Sequence, residues 1–497
     1  MSEVIHTDVA VVGAGNAALC AAITAAQAGA RVLVLEKAPY AERGGNSRFT
    51  GGLLRFAFPS KEDVLGILED LSGFTPEQLD AGPYPAEQYV ADVSRLSGGR
   101  CDGALIEMLA AGSNDAVRWL AKHGVTYELY EKYVEHAGRI NWPDRAMVKV
   151  RGGGEGLVAA LFAAAERHGV DIRYDAQVVG VEAPGERVQL AVRFNGTPSA
   201  VDAAAAVLGS GGFEANPAAR ASYLGPSWDL AKARGTRHNT GEILAQLLAM
   251  GAAPVGHWSG AHAVPVDAGS ADVGDLRVGA LTTRLSYPYG IMVNVDGHRF
   301  VDEGSDFKLL TYAKIGREVL RQPEGRAYQI FDQRTVGLIE PRYELGSTSV
   351  VANTIEALAG GIGVDRAALT STIAEYNASV RDGEFNAAVL DGKGTDGLVP
   401  AKSNWAQRID QPPYVAYPVT CGITFTYGGV GVDAHARVLS SAGHPMPGLY
   451  ATGEITGGFF YHNYPAGAGL IRGTVFGRIA GEEAARRALA LTAGAPA

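Results

Sequence analysis

The hydrophobic pattern of the first 36 residues predicts a βαβ unit. Residues 8–12 form an apolar run typical of a buried strand, and residues 17–28 carry the apolar spacing of a helix that ends at Gly29. A second apolar run, at residues 31–35, predicts the next strand. Strand, helix and strand in this order are the repeating unit of an α/β fold.

The same alternation returns later in the amino-terminal part of the chain. Residues 156–168 have the pattern of a helix, residues 170–179 that of a strand, and residues 200–208 that of a further strand. We therefore predict that residues 1–256 form the first part of an α/β domain.

The alternation of strand and helix patterns is not found between residues 257 and 418. This stretch combines a β-like run, two helical stretches and a polar, Gly-rich segment, at residues 290–295, 308–321, 365–382 and 391–397. We interpret residues 257–418 as an inserted α+β domain. Residues 419–497 contain a short strand at 448–452 and a long helix at 473–491, so the chain is predicted to return to the first domain.

Composition narrows the classes of function. The chain has 43 Lys and Arg against 53 Asp and Glu, a net charge of −10, and no basic stripe, which argues against binding to nucleic acid. The three cysteines, Cys20, Cys101 and Cys421, lie far apart, so metal and haem sites lack their usual ligand spacing. We expect no metal, and redox chemistry would need an organic cofactor.

The sequence also predicts where the protein resides. No apolar run approaches the roughly 20 residues that a membrane helix needs, so no transmembrane segment is expected. The first residues lack the basic and apolar regions of a secretory signal, so we expect a cytoplasmic protein.

A dinucleotide-binding fingerprint connects the first predicted strand to the first predicted helix. Gly13 allows the tight turn, Gly15 lets a pyrophosphate approach the backbone, and Asn16 and Ala17 open the helix, whose free N–H groups favour phosphate. Glu36 ends the next strand, where an acid binds the adenosine ribose. Its charge would repel the 2′-phosphate of NADP, whereas NAD and FAD both fit.

The residues after Glu36 distinguish these two cofactors. Lys37 leads into the run Arg43-Gly44-Gly45-Asn46-Ser47, and then into Thr50-Gly51-Gly52. This stretch resembles the segment beside the isoalloxazine ring in the fumarate reductase and succinate dehydrogenase flavoprotein family. Further motifs of that family follow in order along the whole chain: Gly209 to Phe213, Asn239 to Glu242, Arg299 to Glu303, Gly428 to Val430 and Gly448 to Glu454.

The resemblance implies FAD and an inserted substrate-capping domain on a Rossmann-like FAD-binding domain. By resemblance, Gly453 and Glu454 approach the ribityl and phosphate groups, Gly469 and Leu470 the pyrimidine edge, and Val178 the adenine. The motifs containing Gly211, Gly241 and Glu242 complete the predicted cofactor site. Covalent members of the family have a histidine in the loop that holds Asn46 and Ser47 here, so we expect noncovalent FAD.

The resemblance also implies a reaction. Family members transfer a hydride between flavin N5 and one carbon of a substrate while a side chain moves a proton at the neighbouring carbon. The run Tyr461-His462-Asn463-Tyr464-Pro465 most resembles the tricarballylate dehydrogenase branch. Tyr464 to Gly469 also resembles the 3-ketosteroid dehydrogenase segment in which a tyrosine hydroxyl and a glycine N–H hold a ketone oxygen.

The substrate-binding residues of the family are only partly present. The first histidine of the cap corresponds to His262, with His257 as the alternative in register, and the carboxylate-binding arginine falls at Tyr464. A bidentate arginine clamp makes a dicarboxylate site specific, so its loss argues against fumarate or succinate. Candidate replacements are Arg48, Arg145, Arg151, Arg284 and Arg472, of which we favour Arg284 because it follows Thr282-Thr283, where the family's cap contacts substrate.

The proton-transfer residue is also changed. Family members place an arginine, or in the steroid enzymes a tyrosine, four residues after the glutamate that corresponds to Glu303, and that position is Phe307. Phenylalanine cannot move a proton, so we assign this role to Lys308, with Tyr312 or an arginine of the cap as alternatives.

The sequence therefore predicts an FAD-dependent dehydrogenase or reductase that acts on a C–C bond next to a carboxylate or ketone, on a tricarballylate-like acid or an oxo-acid. The alternatives are a flavin monooxygenase or oxidase, or a ketone 1,2-desaturase of the 3-ketosteroid dehydrogenase type. Electrons are expected to pass to an external acceptor, which is oxygen, a quinone or a redox partner protein.

Overall fold

A computed structural model describes residues 4–494 apart from 72, 81, 131–133, 137–138, 142–146 and 346–347. Its strands are β1 (Val4–Val12), β2 (Val32–Leu35), β3 (Leu53–Arg55), β4 (Leu68–Asp70), β5 (Leu79–Asp80), β6 (Tyr127–Leu129), β7 (Val134–His136), β8 (Arg139–Asn141), β9 (Met147–Val150), β10 (Asp171–Arg173), β11 (Ala176–Glu182), β12 (Val188–Phe194), β13 (Thr197–Leu208), β14 (Lys232–Ala233), β15 (Pro254–Asp267), β16 (Ile291–Asn294), β17 (Arg326–Phe331), β18 (Val350–Ala352), β19 (Tyr414–Val430), β20 (Arg437–Leu439) and β21 (Pro445–Ala451).

The helices are α1 (Asn16–Gln27), α2 (Lys61–Leu65), α3 (Ala86–Leu96), α4 (Gly103–Lys122), α5 (Gly153–Arg167), α6 (Pro217–Leu224), α7 (Glu242–Ala249), α8 (Lys308–Leu320), α9 (Ile355–Ile362), α10 (Arg366–Ser379) and α11 (Ala468–Thr492). Within the described residues, no helix is long and apolar enough to cross a membrane.

The first sheet confirms the predicted α/β class. Its strand order is β10-β2-β1-β13-β12-β11, and β21 joins it beside β13. Strand β1 is parallel to both β2 and β13. The second halves of β1 and β13 and the whole of β2 are buried because their runs of Val, Leu and Ala are covered on both faces. The carboxyl ends of β1 and β2 therefore lie side by side, and this is where ligands bind in open α/β sheets.

The second sheet belongs to the cap. Strand β19 is its centre and pairs with β14, β15, β17 and β18, while β16 pairs with β17. Helix α8 packs on β15 at Gly316, where an added Cβ would lie 2.5 Å from the carbonyl carbon of Ala263. Helix α8 therefore lies directly against β15, and its first turns lie where the cap meets the first domain.

Two long strands pass through the predicted domain boundaries. Strand β15 begins before residue 257, and β19 extends beyond residue 418, so the cap sheet includes residues on both sides of each boundary. The limits 1–256, 257–418 and 419–497 stay a prediction.

The predicted elements mostly appear with shifts of a few residues at their ends. The single strand predicted at residues 170–179 was wrong, because the chain turns at Asp175, which has a φ of 49°. The segment forms β10 and β11, and these pair at opposite edges of the sheet.

Helices α1 and α11 are pressed together through small residues. Gly473, Gly477 and Gly481 recur every fourth residue on the α11 face that meets α1, and a Cβ added at Gly477 would lie 2.5 Å from the carbonyl oxygen of Ala17. A four-residue spacing places these glycines on one helix face. The two helices therefore run closely together, and both begin beside the carboxyl end of β1.

We predict that Gly477→Ala reduces the free energy of unfolding by about 1–3 kcal/mol, because the added methyl group overpacks the helix contact. Urea denaturation of the apoprotein measures the change. Glu482→Ala, on the exposed face of the same helix, is the matched control and should leave stability nearly unchanged. Equal stability of both variants would mean that the contact is looser than described.

Candidate cofactor and substrate site

A cavity of about 370 Å³ lies where the first domain meets the cap. Residues of the β1–α1 turn, the end of β2 and the start of α11 line one part of it, and residues of β15, α8 and β19 line the other. The cavity thus joins the predicted nucleotide site to the predicted substrate site.

The nucleotide end is built on the amino terminus of α1. Gly15 caps the helix in an extended conformation with a φ of −76°, and it provides no side-chain cap for the first N–H groups. The N–H of Asn16 donates to Ser47 Oγ at 3.0 Å, which ties the helix start to the following loop. The remaining first-turn N–H groups are the kind of donors that bind a phosphate.

Glu36 lies at the end of β2, only 5% exposed. One carboxylate oxygen accepts the N–H of Ala38 at 2.8 Å. Burial raises the pKa of Glu36 to about 6 in the ligand-free protein. Lys37 also lines the cavity, and its Nζ donates to Thr240 Oγ1 at 2.6 Å and to Glu242 at 2.8 Å.

Most of the predicted cofactor residues line this one cavity: Gly13, Gly15, Asn16, Ala17, Glu36, Lys37, Gly45, Asn46, Ser47, Gly51, Val178, Gly211, Gly241, Glu242, Gly453, Glu454, Gly469 and Leu470. Gly44 and Gly52 lie behind it. Gly44 has a φ of 104° and begins the 3-10 turn Gly45–Phe49, and Gly52 has a φ of 75° and packs against Gly153. These two glycines shape the loop, because a side chain at either position would be strained.

A buried carboxyl pair supports the same loop. Asn46 Nδ2 donates to Glu214 Oε1 at 2.5 Å and to the Thr424 carbonyl at 2.7 Å. Asn239 lies between the two carboxyls, 2.6 Å from Glu214 and 3.4 Å from Glu454. Burial raises the pKa of both carboxyls, and the Glu454 charge raises that of Glu214 further, so the protonated form of Glu214 is favoured.

The starts of α1 and α11 are joined by Asn16. Its Nδ2 donates to the Leu470 carbonyl at 2.8 Å, and Thr474 lies 3.2 Å from the same amide. Helix α11 is capped by Gly467 and has no acidic residue in its first turn. Both helix amino termini therefore present their positive dipole ends to the cavity.

The substrate end is aromatic. His262 contacts the rings of Tyr312, Phe425 and Tyr464 at centroid distances of 4.9, 5.1 and 4.8 Å. Burial and the charge of Arg234 hold the pKa of His262 well below its usual range, so the imidazole is neutral. Its Nδ1 has no hydrogen-bond partner among the described residues.

The hydroxyl of Tyr464 is oriented by the backbone. Its oxygen accepts the Gly467 N–H at 3.1 Å, and the ring is only 7% exposed. Because a hydroxyl that accepts a hydrogen bond can still donate its own proton, Tyr464 can act as a donor toward the Tyr312 hydroxyl or toward a group in the cavity. Tyr312 lines the cavity next to it, and burial together with Tyr464 raises the pKa of Tyr312 well above its usual range.

Three arginines line the cavity: Arg234, Arg342 and Arg472. The sequence had singled out only Arg472, which packs over Phe425, Phe459 and Phe460 at 5.1–5.8 Å from their ring centres. Arg234 follows β14 just before the Asn239–Glu242 motif, so its position was a signal that sequence reasoning overlooked. Arg342 lies in a 3-10 turn after Pro341, and no motif pointed to it.

Two predicted catalytic residues lie outside the cavity lining. Arg284 is fully buried and pairs with Asp267 at 3.1 Å, beside a second cavity of about 250 Å³. Lys308 begins α8 and pairs with Glu340 at 2.8 Å, whereas Tyr312, one turn later on the same helix, faces the cavity. The structure thus brings His262, Tyr464 and Tyr312 together in the cavity lining. Arg284 and Lys308 form ion pairs with Asp267 and Glu340 and do not line this cavity.

The remaining candidates from the sequence lie away from the cavity or outside the described residues. Arg48 pairs with Glu155 and Arg151 with Glu69, and Arg145 lies outside the described residues. His257, the alternative to His262, stacks on Tyr461 at 4.0 Å and does not line the cavity.

Comparisons with known proteins agree with this arrangement. Residues 8–470 match the family described as the FAD binding domain. The chain is 29% identical to 4-oxocyclohexanecarboxylate 2-dehydrogenase of Sinomonas cyclohexanicum, over 99% of this chain and 95% of that protein.

Solved structures give the same result for the fold. The open conformation of a flavocytochrome c3 fumarate reductase matches with a TM-score of 0.72 and 26% identity, over 98% of this chain and 79% of that one. The 3-ketosteroid-Δ4-(5α)-dehydrogenase of Rhodococcus jostii RHA1 matches with a TM-score of 0.71 and 24% identity, over 97% of each chain, which shows a common fold. The fold matches confirm the predicted Rossmann-like architecture, and the chain belongs to the FAD binding domain family as a flavoprotein oxidoreductase of the fumarate reductase group that acts on C–C bonds.

Proposed function

We propose that this protein transfers a hydride between FAD and the β-carbon of a ketone, with Tyr464 binding the ketone oxygen while a proton moves at the α-carbon. The observation that carries the proposal is the Tyr464 hydroxyl, which accepts the Gly467 N–H and lies in the cavity wall beside the Tyr312 hydroxyl, its hydrogen-bonding neighbour. A positioned hydroxyl donor stabilises the enolate oxygen that develops when an α-proton leaves. The relative from Sinomonas, whose name identifies a cyclic keto acid as its substrate, supports the same class.

The residues around the nucleotide end fit FAD. The first N–H groups of α1 would bind the pyrophosphate, Glu36 would accept the adenosine ribose hydroxyls, and the start of α11 would face the pyrimidine edge of the flavin. The loop Gly45–Phe49 contains no histidine, which supports noncovalent binding. Gly15 leaves the space beside the start of α1 free, since an added Cβ would meet only Ser47 Oγ at 3.4 Å and the Gly44 carbonyl at 3.8 Å.

We assign the proton transfer to Tyr312 in place of Lys308. Both lie in the first turns of α8, but Tyr312 contacts His262 and faces the cavity, while the Lys308 ammonium pairs with Glu340 behind it. In the oxidative direction the Tyr312 oxygen would take the proton from the α-carbon, and in the reductive direction its hydroxyl would return it. FAD, when bound, supplies the acceptor or donor of the hydride at the neighbouring carbon.

Several finer points of the function stay predictions. They are the resemblance to tricarballylate dehydrogenases, the external electron acceptor and the cytoplasmic location.

We predict that Gly15→Val purifies without flavin, because the side chain would occupy the position of the pyrophosphate while the surrounding fold has room for it. The measurement is the ratio of flavin to protein absorbance, with the unfolding midpoint of the apoprotein as a check on folding. Gly103→Ala, at the start of α4 with nothing within 4 Å of the added Cβ, is the control and should keep full flavin. Full occupancy in Gly15→Val would move the pyrophosphate elsewhere.

We predict that small keto acids bleach the bound flavin anaerobically without NAD(P)H, and that Tyr464→Phe slows bleaching about a hundredfold, which corresponds to about 3 kcal/mol for one transition-state donor. Stopped-flow absorbance measures the rate. Flavin content should be unchanged, because the mutation removes one hydroxyl. Oxygen uptake that requires NADPH, with no bleaching by any keto acid, would instead favour a monooxygenase.

We predict that the rate of dehydrogenation rises with pH in the parent enzyme and loses this rise in Tyr312→Phe. The raised pKa keeps Tyr312 protonated at neutral pH, so its basic phenolate form increases about tenfold per pH unit below that pKa. Rates of flavin bleaching from pH 6 to 10 measure both profiles. Lys308→Met is the comparison. If its rate rises with pH as in the parent enzyme, the result supports Tyr312 as the proton-transfer residue. If the rise is lost in Lys308→Met and kept in Tyr312→Phe, the proton-transfer role belongs to Lys308.

A further inference from the structure

Arg234 lines the cavity and is held there through its backbone and through one of its three guanidinium nitrogens. Its backbone N–H donates to the Ile423 carbonyl at 2.7 Å, and its Nε donates to Thr424 Oγ1 at 3.0 Å. These two bonds fix the side chain by its stem. In the part of the chain that the structure describes, neither terminal nitrogen has a hydrogen-bond acceptor and no carboxylate lies within 4.0 Å of them.

Arg342 lines the same cavity from the 3-10 turn Pro341–Glu344. Its Nε pairs with Glu340 at 2.9 Å, and its Nη1 donates to the Ala280 carbonyl at 3.3 Å and to Thr283 Oγ1. The guanidinium is thereby held rigidly, and Ala280 and Thr283 line the cavity beside it. The mutual repulsion of Arg234 and Arg342 contributes to the lowered pKa of Arg234, after burial.

The charges around these arginines do not balance. Glu340 accepts both Lys308 and Arg342, so one carboxylate faces two cations, and Arg234 adds a third. His262 is neutral and contributes no charge of either sign. The other lysines and arginines of the described lining have carboxylate neighbours elsewhere: Arg472 interacts with Glu454, Lys37 pairs with Glu242 at the nucleotide end, and Lys149 pairs with Glu128. The wall between Arg234 and Arg342 therefore has an excess of positive charge.

We propose that Arg234 and Arg342 form a carboxylate-binding subsite, and that the substrate is a compact keto acid whose carboxylate lies between them. This inference rests on the proposed function for the ketone half of the site. Guanidinium groups bind carboxylates bidentately, and an anion between the two arginines also relieves their repulsion. Tyr464 stands where the fumarate reductase family has its carboxylate-binding arginine. Arg234 and Arg342 supply positive charge for a carboxylate from other segments of the chain.

The position of Arg234 also limits the size of the substrate. Arg234 lines the same cavity as His262, Tyr312 and Tyr464, so the carboxylate and ketone subsites share one enclosed space. A cavity of about 370 Å³ that also holds the nucleotide end suits a single ring or a short chain, and a neutral polycyclic ketone would bury the two arginines without an anion, which is costly.

The test compares three probes in the FAD-loaded protein: 4-oxocyclohexanecarboxylate, its neutral carboxamide, and cyclohexanecarboxylate, which has no ketone. The first two are followed by anaerobic flavin bleaching, and the third by the change it causes in the flavin absorbance spectrum on binding. The variants are Arg234→Gln and Arg342→Gln. Arg326→Gln, an exposed arginine of the cap, is the control.

The expected result is a 10- to 100-fold loss of kcat/KM for the keto acid in each variant, with less than threefold change for the carboxamide, and a similar weakening of cyclohexanecarboxylate binding. Arg326→Gln should behave as the parent. Equal losses for the acid and the carboxamide, or cyclohexanecarboxylate binding that is absent in the parent or unchanged in both variants, would overturn the subsite. If cyclohexanecarboxylate binding weakens in the variants but neither ketone bleaches the parent flavin, the carboxylate subsite stands and the proposed function fails.

Discussion

The close contact of α1 with α11 is the constraint on which the site depends. Glycines at every fourth residue of α11 let the two helix axes approach until Gly477 meets the Ala17 carbonyl. Asn16 then links the two helix starts through the Leu470 carbonyl. Both helices begin at the carboxyl edge of the first sheet, so their positive dipole ends point into the same cavity. FAD would bring negative charge there twice, through its pyrophosphate and through its flavin ring, which becomes negative on reduction.

Burial then decides what each polar group at this site can do. Glu214 and Glu454 are too close and too enclosed to ionise together, so they act as a hydrogen-bonding unit that holds Asn46 and Asn239 rather than as two charges. His262 is enclosed by three aromatic rings, and burial together with the charge of Arg234 lowers its pKa, so its imidazole is neutral. It therefore contributes a polar but uncharged side chain to the cavity wall. In the proposed mechanism the proton chemistry is therefore assigned to Tyr312 and Tyr464, which carry no charge in their resting form.

The sequence allowed the nucleotide half to be predicted because local rules govern it. A strand, a tight glycine turn, a helix start and an acid at the next strand end are all short-range features, and the Gly15 and Glu36 positions follow from them. The boundaries of the cap were harder, because β15 and β19 are long strands with glycines and polar residues that weaken the period-2 pattern.

The catalytic half depends on orientation, which the sequence does not specify. The start of α8 at Lys308 was predicted correctly, but the sequence did not show which residue of the helix faces the cavity. Lys308 pairs with Glu340, more than 30 residues away in the chain, whereas Tyr312 lines the cavity. Arg284 was chosen for its place after Thr282-Thr283, yet Asp267 on β15 neutralises it inside the cap. Arg342 comes from a turn without a motif, so only the folded chain brings it to the cavity.

The loss of the family arginine at Tyr464 and the gain of cations at Arg234 and Arg342 are linked by electrostatics. An arginine at position 464 would lie beside His262 and the two tyrosines, within the range in which Arg234 already acts on them, and a further uncompensated charge there would be costly in so enclosed a site. In the proposed site, Arg234 and Arg342 supply the positive charge, and position 464 carries a neutral hydroxyl donor. A neutral donor suits a ketone, and an arginine pair suits a carboxylate. The same cavity can therefore bind a molecule that carries both groups by its two polar ends, and these two contacts orient its carbon skeleton toward the flavin ring.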